Sequence, residues 1–84
     1  ETETGTPRPS RRAQELSRLL FRRASARLRS GGEYRGAVRD LDQSLVLDPA
    51  QPLAFLQKGQ ALLKMQEHAG ASRAFLDGLK IAPG

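Results

Sequence analysis

The chain has 84 residues, a net charge of +5, one histidine and no cysteine, which confines it to a single small domain and excludes a disulfide framework or a thiolate-held metal. No apolar run approaches the roughly 18 residues that a membrane span requires. The positive charge is concentrated: eight arginines and one acid lie between Arg8 and Arg29, whereas six basic and six acidic residues cancel from Ser30 onward.

Residues 1–9 contain two prolines and no aliphatic or aromatic side chain, and they are read as a disordered leader or a cloning remnant outside the domain of residues 10–84. Ser10 suits an N-cap, and strong helix formers follow it as far as the Gly31-Gly32 break. Leu16, Leu20, Ala24 and Leu28 recur every four residues with Phe21 beside them, which predicts an amphipathic first helix of roughly five turns. The chain returns from Glu33-Tyr34 with a second stripe, Ala37, Val38, Leu41 and Leu45, and stops near Asp48-Pro49. Pro52 fits a first helical position, so a third helix is expected over 53–65, a polar joint over 66–68 and a fourth helix over 69–81. Such short connections require antiparallel neighbours.

The second half of this pattern repeats the first at a spacing of 34 residues. Phe21, Leu28, Ala37, Leu45 and Pro49 return as Phe55, Leu62, Ala71, Leu79 and Pro83, and nine identities connect 18–50 with 52–84. A fixed period of this length marks a stacked-repeat architecture. The order Phe21, Ala24-Ser25, Leu28, Ala37, Leu41, Pro49, answered by Phe55, Lys58-Gly59, Leu62, Ala71, Phe75, Pro83, resembles a pair of tetratricopeptide repeats (TPRs), the first over about 18–51 and the second over about 52–84. The resemblance implies an all-α fold without strands, in which two antiparallel helical hairpins stack in a short right-handed solenoid. Lys58 departs from the apolar residue usual at its slot, so its stem must supply the packing. Small residues at Ser25, Gly59, Ala37, Ala71, Ser44 and Gly78 suit close helix approach, with Phe21, Phe55 and Phe75 filling the spaces between. The chain begins without methionine and the register would continue past Pro83, so we expect a piece of a longer protein.

No catalytic constellation is visible in this inventory. His68 has neither cysteine nor a second histidine beside it and is expected as a half-buried packing residue. Asp40 and Asp42 diverge on a helix and cannot share a proton. Gly31-Gly32 follows no strand and has no phosphate-loop signature. We therefore expect a binding protein rather than an enzyme, with no cofactor and no metal.

On the first helix the stripe beside the packing residues is Leu19, Arg22, Ala26 and Arg29, and its counterpart on the third is Leu53, Leu56, Gln60 and Leu63. In the resembled family the first helix of each hairpin lines a concave surface that receives peptides. These eight residues thus describe a groove for a protein segment with acidic and aliphatic features, its carboxylates on Arg22 and Arg29. The family's clamp for chaperone tails is disfavoured, because Arg22 matches but Ala26 and Gln57 stand where asparagines are required.

Two alternatives accompany this reading. Arg11, Arg12, Arg18, Arg23 and Arg27, with Arg22 and Arg29, present charge to nucleic acid or an anionic lipid surface, although no free aromatic is available for base stacking. The last hairpin leaves apolar surface around Leu63, Leu76 and Leu79 that would suit a homodimer. A cytoplasmic or nuclear location is expected.

Overall fold

The computed structural model describes residues 9–81, and within them four helices follow in order: α1 (Arg11–Ser30), α2 (Tyr34–Leu47), α3 (Pro52–Lys64) and α4 (His68–Ile81). Among the described residues the fold is all-α. The expectations for 1–8 and for Pro83 lie outside this range.

Most of the helix boundaries have a local cause. The Ser10 hydroxyl accepts from the Ala13 amide at 3.1 Å, and Gly31 closes α1 in the left-handed region at φ 81° while its amide donates to Leu28 O. Helix α2 ends at Asp48, ahead of Pro49, and α3 opens on Pro52, whose missing amide proton is not needed there. At the far end of α3 the Gln66 amide donates to Leu63 O and the Glu67 amide to Leu62 O. This is a full Schellman closure, with Gln66 in the left-handed position at φ 62° that glycine usually fills. The closure completes itself by Glu67, so α4 starts at His68, earlier than the sequence pattern places it. His68 is exposed rather than half-buried, its side chain lying on the outer face of the first turn of α4.

Helix α1 packs on α2 and α3 on α4, while α2 packs on α3 and α1 lies beside α3. The core is built largely of small residues. Ala24, Ala37, Leu41 and Ala54 are fully buried, with Phe21, Leu28 and Leu45 closing over them. A second cluster, Leu62, Ala71 and Ala74, is covered by Val38, Met65 and Phe75, so α2 contributes to both. Close approach explains this composition. A Cβ on Gly59 would lie 2.6 Å from Phe75 Cδ1, and one on Gly78 would lie 3.0 Å from Phe55 Cβ.

The face of α1 that enters the core is rotated from the expected one. Leu16 is 46% exposed, and Ser17 takes the buried position at 1%. The core-facing set is therefore Ser17 and Ala24, buried, with Phe21 and Leu28 partly buried beside them, and its spacing of four, three and four tracks a helix face better than a strict step of four. A leucine in place of Ser17 would not permit what forms there. The Ser17 hydroxyl donates to Ser44 O at 3.1 Å, the Ser44 hydroxyl donates to Ser17 O at 2.8 Å, and the two hydroxyls lie 2.8 Å apart. Gln51 completes the arrangement, its Nε2 within 2.6–3.1 Å of Ser17 Oγ, Ser44 Oγ, Ser44 O and Asp48 O. Buried polar groups of three elements thus satisfy one another, which fixes how α3 enters against the first hairpin.

Candidate functional site

The arginines of α1 divide into two groups with different employment. Arg23 faces α2 and binds Asp40 through a two-point contact, Nε to Oδ2 at 3.0 Å and Nη2 to Oδ1 at 2.9 Å. Arg27 lies on the same side, its Nε 3.1 Å from Asp40 Oδ2 without the alignment of a hydrogen bond, and its Nη1 donates to Glu33. Asp40 is only 3% exposed. The hydrogen bonds from Arg23 hold its carboxyl below the usual carboxylate range, against the opposing effect of burial and with help from the charge of Arg27. The same contact raises Arg23. These two side chains, expected among the contacts for an anionic partner, are engaged within the fold.

The remaining arginines of α1 face outward. Arg11, Arg12, Arg18, Arg22 and Arg29 are exposed, and among the described residues none of them has an ion-pair partner. Arg22 and Arg29 share α1 with exposed Leu19 and Ala26, and α3, lying alongside, exposes Leu53, Leu56, Gln60 and Leu63. All eight expected groove positions are therefore at the surface of two adjacent helices.

They do not form one uniform trough. Gln60 and Leu63 line a cavity of about 440 Å³ with Leu28, Tyr34, Ala61 and Lys64, where the ends of α1 and α3 meet the start of α2. Leu53 and Leu56 line another of about 310 Å³ with Pro52, Phe75, Gly78 and Leu79, on the side shared with α4. Leu53 also borders a cavity of about 470 Å³ whose wall includes Arg18, Phe21 and Gln51. The leucines of α3 therefore form a ridge, with hollows toward α1 on one side and toward α4 on the other.

Three polar contacts that position these surfaces were not expected from the pattern. Asp40, the Ser17–Ser44–Gln51 group and the pairing of Lys58 Nζ with Asp42 Oδ1 at 2.7 Å all connect residues on different helices. Only Lys58 carried a signal, as a charge in a slot where an apolar side chain was expected. Among the described residues no cluster of three metal-ligating side chains is present, and no helix is long and apolar enough to cross a membrane.

No protein-family model matches the chain, and no solved structure matches it. Over 66 residues it is 36% identical to the Protein SGT1 homolog of Oryza sativa subsp. japonica, a likeness that takes in 79% of this chain and 18% of that protein. The chain thus corresponds to less than a fifth of the length of this curated relative.

Proposed function

We propose that the chain is a protein-interaction module of two TPR-type hairpins, and that it docks a partner segment combining carboxylates with aliphatic side chains across α1 and α3. The observation that carries this reading is the division of the arginines. Arg23 and Arg27 are bound to Asp40, while Arg22 and Arg29, a step around the same helix, are exposed without an ion-pair partner among the described residues, on a helix that lies beside α3 with its exposed Leu53, Leu56 and Leu63. An exposed guanidinium beside aliphatic surface offers two-point recognition of a carboxylate together with contact area. The likeness to a segment covering 18% of the rice SGT1 homolog agrees with a unit carried inside a larger protein.

The reading is tested by selecting binders from a displayed library of short peptides and measuring the enriched sequences by fluorescence anisotropy. Enriched peptides should combine Asp or Glu with Leu, Ile or Val, and Arg22→Glu with Arg29→Glu should weaken them by about tenfold or more with the helical circular dichroism unchanged. Enrichment of peptides whose affinity is insensitive to both substitutions would overturn it. So would a stronger, salt-sensitive affinity for a control oligonucleotide, which would favour the basic-surface alternative.

A further inference from the structure

The exposed arginines of α1 are in register with one another. Arg18, Arg22 and Arg29 are separated by four and seven residues, so at 3.6 residues per turn they fall within about 40° of one line along the helix, at intervals of about 6 and 10.5 Å. Arg11 lies a further seven residues back, but Glu15, four residues after it and three before Arg18, places an acid on that face. The row free of acids therefore runs from Arg18 to Arg29. It borders the seam with α3: Ser25, three residues after Arg22 and four before Arg29, donates its hydroxyl to Gln57 Oε1 at 2.9 Å.

The seam has a hollow to either side of that contact. Arg18, Phe21 and Leu53 border the one of about 470 Å³, and Leu28, Gln60 and Leu63 the one of about 440 Å³. Phe21 and Leu28 are seven residues apart on α1, as Leu53 and Gln60 are on α3, so the hollows repeat at about 10.5 Å, close to two helical turns.

These intervals discriminate between conformations of an occupant. An extended segment advances about 3.3 Å per residue and turns alternate side chains to opposite faces. Its carboxylates would have to lie about two and then three residues apart to meet the row, and the odd step turns the third away from α1. A helix running alongside α1 has the same rise as the row, and residues four and seven apart return to one face of it in either chain direction. We infer that the segment docked across α1 and α3 binds as an α-helix, with three acidic residues at steps of four and seven on Arg18, Arg22 and Arg29 and two aliphatic side chains, seven apart, in the two hollows. The inference rests on the docking reading above and adds Arg18 to its contacts. A second copy of this chain does not meet the requirement, since none of its four helices carries more than two acids and Asp40 is taken up by Arg23 and Arg27.

The probes are designed peptides of about 18 residues, in which three glutamates follow the four-and-seven step and two leucines seven apart occupy the neighbouring stripe, one peptide for each chain direction. A control for each has proline at its centre, which keeps the charges and the leucines and blocks the helix. By fluorescence anisotropy at physiological salt, one matched peptide should bind at least about tenfold more tightly than its proline control and gain helicity on binding. Arg18→Glu should weaken it by about tenfold or more with the helical circular dichroism of the protein unchanged, whereas Arg12→Glu, on another face of α1, should change it by less than about twofold. Equal affinity for the proline control, binding without a gain of helicity, or insensitivity to Arg18→Glu would overturn the helical occupant, and the docking reading would survive if Arg22→Glu still weakened binding. Failure of both matched peptides beside library-selected peptides that depend on Arg22 would have the same meaning, whereas failure of every acidic peptide would remove both readings. Displacement of the bound peptide by a lower concentration of an oligonucleotide, or self-association of the free chain that Arg18→Glu abolishes, would give the row to that occupant instead.

Discussion

Arg23 and Asp40 are joined by two parallel hydrogen bonds of 3.0 and 2.9 Å, with the carboxylate buried in α2 and the arginine side chain 59% exposed on α1. The pair connects the helices of the first hairpin while Arg23 remains in contact with water. Its stabilising effect belongs to the ionised form of Asp40.

Because the folded state depresses the Asp40 carboxyl, the associated stability is present above the ordinary carboxylate range and is lost as pH falls through the depressed value. Asp40→Asn should destabilise at neutral pH by about 1–2 kcal/mol, near the lower end for a hydrogen bond to a charged group because Arg23 keeps its hydration. Urea unfolding from neutral pH into the acid range should show a smaller loss for the variant than for the parent chain. Identical pH profiles would remove the pair from the account of acid sensitivity.

Two glycine substitutions should act in opposite directions. Alanine at Gly59 gains about 1 kcal/mol in helix propensity but drives its Cβ to 2.6 Å from Phe75 Cδ1. Overpacking of about 1–3 kcal/mol should therefore prevail. At Gly70 the nearest atom would be Leu62 Cδ1 at 3.4 Å, so Gly70→Ala should stabilise by about 0.5 kcal/mol. Thermal denaturation of the two variants checks both signs.

Gln66→Gly should stabilise the chain by about 0.5–1 kcal/mol, since Gln66 holds φ 62° in the closure of α3 and a Cβ is strained in that region. Greater backbone freedom of glycine in the unfolded chain subtracts from the gain without reversing it. A lower denaturation midpoint for the variant would show that the Gln66 side chain supplies something the closure requires.

Ser44→Ala should cost about 1–3 kcal/mol, because it leaves buried partners on Ser17 and Gln51 incompletely satisfied. With Gln51→Ala the effects should not add, and a coupling of about 0.5–3 kcal/mol is expected from a double-mutant cycle. Simple additivity would mean that the contacts act independently.

Helix boundaries were readable where a residue acts locally: Ser10 by capping, Gly31 by its left-handed backbone, and Pro49 and Pro52 by what proline lacks. The choice between Leu16 and Ser17 was not. Hydropathy favours the leucine, but a close crossing with Ser44 favours the smaller hydroxyl. The surface placement of the eight groove positions follows from their offset around each helix. Their separation among three hollows depends in part on α4 standing beside Leu53 and Leu56, which spacing along one helix does not encode. The engagement of Arg23 and Arg27 is not legible in the sequence for a related reason: Asp40 lies on another helix, and a run of arginines has the same composition whether or not an acid is folded against it.

The hydroxyl and amide group of Ser17, Ser44 and Gln51 has no second copy, since the positions one repeat on from Ser17 and Ser44 hold Gln51 and Gly78. The two hairpins are consequently alike in outline yet not interchangeable. A chain with its hairpins in reverse order, or with either one duplicated, would lose the polar match at the new junction. Sequence order is thus enforced at the joint between hairpins, by three side chains that contribute little to the shape of either one.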